Sequence, residues 1–217
     1  MPGWRTDARA AAFAVRHPVA ASRIGTVVLG STNISSVAGR YARHFAEDTR
    51  TSKDPGTLSN AFRHVLWSAM VRNEFDGTIT KRATNAHEGV GIGESQYVDM
   101  SAPFRGGDDI ELADHIVDVL NNDIGIRLSE SMPNSSAKDL ATMALYQFMS
   151  EGLWTTQKDK DGNLKIEKQK LDSSLYIQAL KSLGSLDQNG FSEEERRRLE
   201  EERRRQLEAL KDIGQNL

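Results

Sequence analysis

Three separate segments of this sequence carry side chains that could transfer protons, hold a metal ion or bind an anion. Their candidate site residues, in chain order, are Asn60, Arg63, His64 and Trp67; Asn85, His87 and Glu88; and Asp114, His115, Asp118, Asn121 and Asn122. Imidazoles and carboxylates serve as general acids and bases or as metal ligands, whereas carboxamides and guanidinium groups stabilise negative charge. These residue types predict one polar site to which all three segments contribute.

The first segment predicts a helix that is covered on both sides. At about 100° per residue, the apolar residues between Ala61 and Met70 form one arc, while His64 and Trp67 fall on the opposite side. A helix face exposed to water would carry Lys and Glu at those positions. A buried imidazole must find polar partners. His64 is therefore either a reactive group or a satisfied core histidine, with Arg63 as its ion-pair partner.

The second segment predicts the end of a helix. A helical pattern that begins at Thr80 is stopped by the glycines between Gly89 and Gly93. His87 and Glu88 therefore lie at a helix C-terminus, where the charged form of histidine is favoured. They also lie beside a loop, and loops on rigid scaffolds often carry active sites.

The third segment predicts an amphipathic helix from Glu111 to Gly125, with Asp118, Asn121 and Asn122 on its polar side. Asn and Gly are poor helix formers, and a merely solvated face would be expected to use Lys, Glu or Gln. The composition indicates a network of side-chain hydrogen bonds. A helix end between Asn122 and Gly125 is the competing interpretation, because both residue types suit that position.

The predicted catalytic residues are His64, His87, Glu88 and Asp118. The predicted substrate-binding residues are Asn60, Arg63, Trp67, Asp114, His115, Asn121 and Asn122. In one mechanism, a divalent metal such as zinc is held by His64, His87 and Asp118. Glu88 would then act as general base to a metal-bound water.

Two mechanisms without a metal are also open. A dyad of His64 and Asp118 could activate water directly, with Arg63 or the two Asn residues of the third segment stabilising the developing negative charge. Alternatively, Glu88 could act as a glycosidase-type acid whose pKa is raised by its surroundings.

The composition fits one domain of 217 residues with a near balance of acids and bases and a net charge of −3. Nucleic acid is not expected as a partner, because that would require a clear basic excess. The sequence contains no cysteine, which excludes disulfides and thiolate metal sites. The early charges at Arg5, Asp7 and Arg9 argue against a signal peptide. No segment has the ~20 apolar residues that a membrane span needs.

The pattern of elements predicts a mainly α fold: a single helical domain with one small β-hairpin and a projecting, charged C-terminal helix. Residues 1–56 are predicted to form N-terminal helices that pack on the core, 57–190 the helical core domain that carries the site, and 191–217 the charged helix. The segment from Val19 to Leu29 is predicted to pack as core because it is short and apolar.

Local signals support this division. Asp54-Pro55-Gly56 predicts a turn, and Asp161-Gly162 predicts a hairpin between two short strands. Gly106-Gly107-Asp108-Asp109 resembles a hinge before the third segment. Ser192 and Glu195 form a capping box at the start of the C-terminal helix.

The three segments together resemble a bacterial domain family found in polymorphic-toxin-like and type VI secretion-associated proteins. The motifs that carry the resemblance are Asn60-Ala61-Phe62-Arg63-His64-x-x-Trp67, Asn85-Ala86-His87-Glu88 and Asp118-x-x-Asn121-Asn122-x-x-Gly125. The resemblance covers residues 16–190. The family often has Arg directly after the last motif, where this sequence has Ile126, so no role is carried over for an Arg at that point.

The resemblance implies a secreted antibacterial effector that is cytoplasmic in its producer and is delivered into a target cell. Its implied partners are a cognate immunity protein and a component of the secretion apparatus. The favoured hypothesis is a hydrolase that acts on the cell envelope, either peptidoglycan or phospholipid. A metal-dependent nuclease toxin and a non-enzymatic effector or adaptor with a structural polar network are the alternatives.

Overall fold

The computed structural model describes residues 3–51, 57–88, 108–161 and 163–215. The predicted turn at Asp54-Pro55-Gly56, the glycines from Gly89 to Gly93 and the first two residues of the predicted hinge lie outside these residues. Asp108 and Asp109, the other two residues of that hinge, begin a helix. The described part of the chain is mainly α-helical and contains one two-stranded antiparallel sheet, which confirms the predicted fold class.

The elements, in chain order, are α1 Gly3–Arg16, α2 Pro18–Ile24, α3 Ile34–Thr49, α4 Leu58–Glu74, α5 Gly77–Glu88, α6 Asp108–Ser131, α7 Ala137–Ser150, β1 Leu153–Lys158, β2 Leu164–Gln169, α8 Ser173–Gly184 and α9 Glu193–Gln215. No helix among these is long and apolar enough to cross a lipid bilayer.

The helix starts follow from side chains that satisfy the first free backbone N–H groups. The Asn33 side chain accepts a hydrogen bond from Ser36 N at the start of α3. Ser136 and Asp139 form a reciprocal capping box on α7. The predicted box at α9 is confirmed, because Glu195 N donates to Ser192 Oγ and Ser192 N donates to Glu195 Oε2.

Helix α4 lies at the centre of the molecule. It packs against α3, α6 and α7, and the polar side that carries His64 and Trp67 is buried together with the apolar side. The coverage predicted for both sides of this helix is therefore confirmed. Residues of α3, α4, α7 and α8 share one hydrophobic core. The helices before residue 57 thus contribute to the same core as the site-bearing helix.

The crossing of α4 and α6 depends on Gly125. A Cβ at this position would overlap the backbone oxygen of Val65 and Oγ of Ser68. Helix α6 continues to Ser131, so the interpretation of residues 122–125 as a helix end is wrong. Glycine is a poor helix former, but it is needed at position 125 because the neighbouring backbone of α4 leaves no room for a side chain.

The hairpin packs on the first half of α6. Its strands pair from Leu153 opposite Gln169 to Lys158 opposite Leu164, which confirms the predicted sheet. A small second hydrophobic cluster joins it to the helix through Ile116, Val117 and Ile166.

The prediction that Val19 to Leu29 packs as core is wrong for most of the segment. Ala20 and Ile24 are buried, but Val19, Val27 and Leu29 are exposed. The buried pair is four residues apart, so one face of the short helix α2 meets the core and the following loop lies on the surface.

We expect Gly125→Ala to lower the free energy of unfolding by about 1–3 kcal/mol, because an added methyl group in a close-packed crossing forces the two helices apart. Chemical denaturation measures the difference. Gly184→Ala is the matched control, since a Cβ there meets nothing within 4 Å. Equal stability of the two variants would show that α4 and α6 have room to spare at Gly125.

Candidate functional site

The three predicted segments meet around the imidazole of His64. Nδ1 of His64 lies 3.2 Å from Oε1 of Glu88, and Nε2 lies 3.3 Å from Oδ2 of Asp118. His64 is supplied by the middle of α4, Glu88 by the last residue of α5 and Asp118 by the middle of α6. All three residues are buried. The imidazole therefore sits between two carboxyl groups, one at each nitrogen.

Carboxamides hold the two carboxyl groups in place. Asn60 Nδ2 donates to Oδ1 of Asp118 at 2.9 Å, and Asn122 Nδ2 donates to Oε1 of Glu88 at 3.0 Å. Arg63 donates to Oδ1 of Asn60 at 2.7 Å. The hydrogen-bond network predicted for the polar side of α6 is thus present, and a second layer of donors fixes the orientation of both acids.

His87 lies at the rim of the cluster. Its side chain is 46% exposed, and its Nδ1 lies 2.9 Å from Oε1 of Glu88. Its ring is 5.8 Å from the ring of His64 and 5.0 Å from that of Trp67. His87 therefore connects the buried carboxylate of Glu88 to the surface.

The other predicted site residues differ in how closely they approach the cluster of His64, Glu88 and Asp118. Trp67 is buried, and its indole N–H donates to Oγ of Ser35 on α3. Asn121 points toward the hairpin, where it donates to Trp154 O and accepts from Trp154 N. Asp114 lies close enough to raise the pKa of Asp118. His115 makes no hydrogen bond or ion pair with the cluster within the described ranges.

The contact of Arg63 assigns the tautomer of His64. A guanidinium group can only donate, and Nη2 of Arg63 contacts Nε2 of His64. Nε2 must then accept, which places the ring proton on Nδ1, facing Glu88. Burial, together with the nearby charge of Arg63, lowers the pKa of His64 from 6.5 to about 4. The imidazole is neutral at pH 7.

The two carboxyl groups are shifted in opposite directions. For Asp118, burial and repulsion from Glu88 and Asp114 raise the pKa well above its usual value. For Glu88, burial acts in the same direction but is outweighed by attraction to the imidazolium form that His64 takes at low pH and by the contacts with both imidazoles, which hold the pKa well below its usual value. Glu88 is therefore the stronger acid of the pair and Asp118 the weaker one. Such divergence is typical of functional sites.

Two polar atoms beside Glu88 are left without a hydrogen bond among the described residues. They are Nδ1 of His64, whose contact with Glu88 does not have hydrogen-bond geometry, and Oδ1 of Asn122. Unsatisfied buried polar atoms are rare in folded proteins. A donor and an acceptor around one carboxylate can accommodate a small polar molecule such as water.

The cluster offers the donor types for a divalent metal. His64, Glu88 and Asp118 each supply one ligand atom, and these atoms lie within 4.8 Å of one another. This group contains Glu88 where the sequence prediction had His87. An ion would need one imidazole nitrogen, and Arg63 already contacts Nε2. Nδ1 beside Glu88 is thus the nitrogen that could coordinate, and it would first have to lose the ring proton that the Arg63 contact places on it.

A family model described as a domain of unknown function, DUF6973, matches residues 25–152. That match covers more than half of the chain. The chain belongs to the DUF6973 family. No curated protein and no solved structure shows significant similarity to it.

The part matched to the DUF6973 family extends from the loop before α3 to the residue before β1, so it includes all three site segments. The charged helix α9 lies outside it. Arg127, the first Arg after the Asn-Asn-x-x-Gly run, pairs with Asp123 on the surface of the DUF6973 domain and does not reach the cluster.

Sequence reasoning missed two contributors to the arrangement. Ser35 holds the Trp67 indole, and the backbone of Trp154 pairs with Asn121. A lone serine and a backbone amide carry no spacing signal. Contacts between residues so far apart in sequence emerge only from the packing of the helices.

The shifted pKa values make a specific prediction about stability and pH. The lowered pKa of His64 makes stability rise with pH between about 4 and 6.5, because the unfolded chain binds the extra proton there. The raised pKa of Asp118 does the opposite above 3.8. As long as Asp118 stays protonated, the two effects cancel in the wild type.

We expect Asp118→Asn to remove this cancellation. The free energy of unfolding of the variant should rise with pH relative to the wild type, by up to about 1.4 kcal/mol per pH unit between about pH 4.5 and 6. Urea denaturation of both proteins across that range measures the difference. A variant whose pH dependence parallels the wild type would show that the pKa of Asp118 in the folded protein is not raised above its usual value.

Proposed function

We propose that the protein is a hydrolase of the bacterial cell envelope that uses Glu88, His64 and Asp118 as a chain for proton transfer. The observation that carries this proposal is the position of one buried imidazole with a carboxyl group 3.2 Å from Nδ1 and another 3.3 Å from Nε2. The pKa of Glu88 is lowered and that of Asp118 is raised, so the two acids differ in their readiness to give up a proton. General acid–base catalysis requires groups of this kind at fixed positions.

Together, Glu88, His64 and Asp118 can supply both proton transfers of a hydrolysis. Ionised Glu88 takes a proton from a water that lies between it and Oδ1 of Asn122. Nδ1–H of His64 protonates the leaving group, while Asp118 passes its proton to Nε2 and thereby replaces the hydrogen bond that Arg63 donates there. After the bond is cleaved, the proton on Glu88 returns to Nδ1 and the proton on Nε2 returns to Asp118, which restores the starting state.

An envelope substrate is supported by two sequence properties. The motifs resemble those of polymorphic-toxin-like and type VI secretion-associated proteins, whose targets lie in rival cells. The net charge of −3 disfavours a nuclease, because nucleic-acid binding relies on a basic surface.

The catalytic roles can be tested on purified protein with phospholipid vesicles and with isolated peptidoglycan as substrates. We expect Glu88→Gln and His64→Asn to lower hydrolysis by at least about 100-fold, since each removes a proton-transfer group. His44→Gln is the control, because His44 pairs with Glu195 away from the cluster. A chelator should leave the rate unchanged, since each proton transfer is assigned to a side chain. Loss of activity on chelation would instead assign the same three residues to a metal.

A second candidate is a purely structural network, and the observation that favours it is the burial of His64, with 1% of its surface exposed. In that case Glu88→Gln would lower the unfolding midpoint strongly and no hydrolysis would be found for the wild type. Under the hydrolase proposal, the fold of Glu88→Gln persists in circular dichroism while activity is lost.

The compartment of the substrate can be tested in cells. We expect the protein to be toxic when it is exported to the periplasm of a bacterial host and harmless when it stays in the cytoplasm, because an envelope substrate is accessible from the periplasm. Growth curves with and without an export signal measure this, with Glu88→Gln as the inactive control. Toxicity confined to the cytoplasm would contradict the envelope assignment.

A further inference from the structure

A basic groove lies between α1 and α5, on the surface rather than in the buried cluster. It has a volume of about 600 Å³ and is lined by Arg9, Ala12, Phe13, Arg16, His17, Arg82, Asn85 and Ala86. This volume is within the usual range for small-molecule sites. Its described lining contains three guanidinium groups and no carboxylate.

The three guanidinium groups of the groove have no acidic partner among the described residues, as is also true of several other arginines. The arginines that do pair with a carboxylate are Arg23 with Glu74, Arg43 with Glu195, Arg72 with Glu130, Arg127 with Asp123, Arg196 with Asp187 and Arg198 with Glu194. Arg9, Arg16 and Arg82 form no ion pair within the described ranges. Three like charges facing one groove repel one another, and an anion between them would relieve that repulsion.

One edge of Arg82 contacts the imidazole of His17. Nη1 of Arg82 lies 3.1 Å from Nε2 of His17, which must accept because the guanidinium group can only donate. His17 is itself held at the junction of α1 and α2, where its backbone N–H donates to Phe13 O and Pro18 follows at the first turn of α2. One edge of Arg82 is thereby oriented, and its remaining N–H groups stay available for a ligand.

The lining also offers an apolar floor and a carboxamide. Phe13 is half-buried and its ring packs on that of His17 at 5.2 Å, with the buried Ala86 nearby in the lining. Asn85 is exposed beside Arg82 on α5. Guanidinium forks match the oxygens of a phosphate group in charge and geometry. An apolar floor next to them suits the carbon part of a phosphorylated molecule.

We infer that the groove between α1 and α5 binds the phosphate group of a small phosphorylated molecule or of a lipid headgroup. Arg9 and Arg16 approach the phosphate from α1, and Arg82 approaches it from α5. Phosphate binding at this groove needs no reaction at Glu88, His64 and Asp118. It can therefore be tested whether or not the hydrolase proposal holds.

The test is calorimetric titration of the full chain with inorganic phosphate and with glycerol phosphate. We expect Arg16→Gln and Arg82→Gln each to weaken binding by at least about 10-fold, the loss typical of one charge-assisted contact to phosphate. Arg197→Gln, a change to an exposed arginine on α9 outside the groove, should bind as the wild type does. Circular dichroism confirms that the variants stay folded.

Vesicles distinguish the source of the phosphate. Binding to phosphatidylglycerol vesicles that is lost in Arg82→Gln and displaced by glycerol phosphate identifies a lipid headgroup. Binding of glycerol phosphate without binding to vesicles identifies a soluble phosphorylated ligand, and both results support the groove. Absence of phosphate binding, an equal loss in Arg197→Gln, or tighter groove-dependent binding of a single-stranded oligonucleotide would overturn the inference.

Discussion

The constraint on which the rest of the structure depends is the burial of three ionisable groups, Glu88, His64 and Asp118, at the crossing of helices. Removing charges from water is expensive unless partners compensate for the loss. The protein meets this requirement in two ways. Asn60 and Asn122 donate to the two carboxyl groups, and the cluster limits its own charge because the pKa of His64 is lowered and that of Asp118 is raised. The carboxylate of Glu88 lies beside the half-exposed His87.

The packing follows from this polar centre. For the side chains of α6 to reach those of α4, the two helices must lie close together, and Gly125 allows that distance because it has no side chain. One turn earlier, Asn121 uses its whole carboxamide on the backbone of Trp154 and so attaches the hairpin to α6. Three residues of α6 that weaken a helix in isolation thus secure three different contacts; they are Asn121, Asn122 and Gly125. Their cost in helix propensity, up to about 1 kcal/mol each, is offset by packing and hydrogen bonds.

The sequence allowed much of this centre to be predicted. Apolar periodicity located α4 and α7, and turn and cap residues located the hairpin and the start of α9. The absence of Lys and Glu from the polar side of α4 indicated that His64 is buried. The composition of α6 indicated a network, because Asn and Gly have no advantage on a wet helix. Each of these inferences rests on local physics that acts within a few residues along the chain.

What could not be predicted depends on the directions of side chains in space. Helical spacing gives no means of deciding between His87 and Glu88 as the residue that reaches His64, since both end the same helix. The structure turns Glu88 inward and His87 outward. The segment from Val27 to Leu29 is apolar yet exposed, because hydrophobicity alone does not say which short segments the core has room for. The groove between α1 and α5 could not be predicted for a similar reason, because only the packing of the two helices brings Arg16 and Arg82 to the same groove.

Helix α5 connects the two features that could carry function. Its residues Arg82, Asn85 and Ala86 face the groove, while Glu88, one turn further, reaches the buried cluster. A ligand held by Arg82 therefore lies on the same rigid element as the base proposed for hydrolysis. His87 stands between them in sequence, half-exposed and in ring contact with both His64 and Trp67. A substrate that approaches along α5 would meet His87 before any other described imidazole of the site. Displacement of that ring would open Glu88 to a water and to the bond to be cleaved, while the contact of Arg63 with Nε2 keeps the ring proton of His64 on Nδ1.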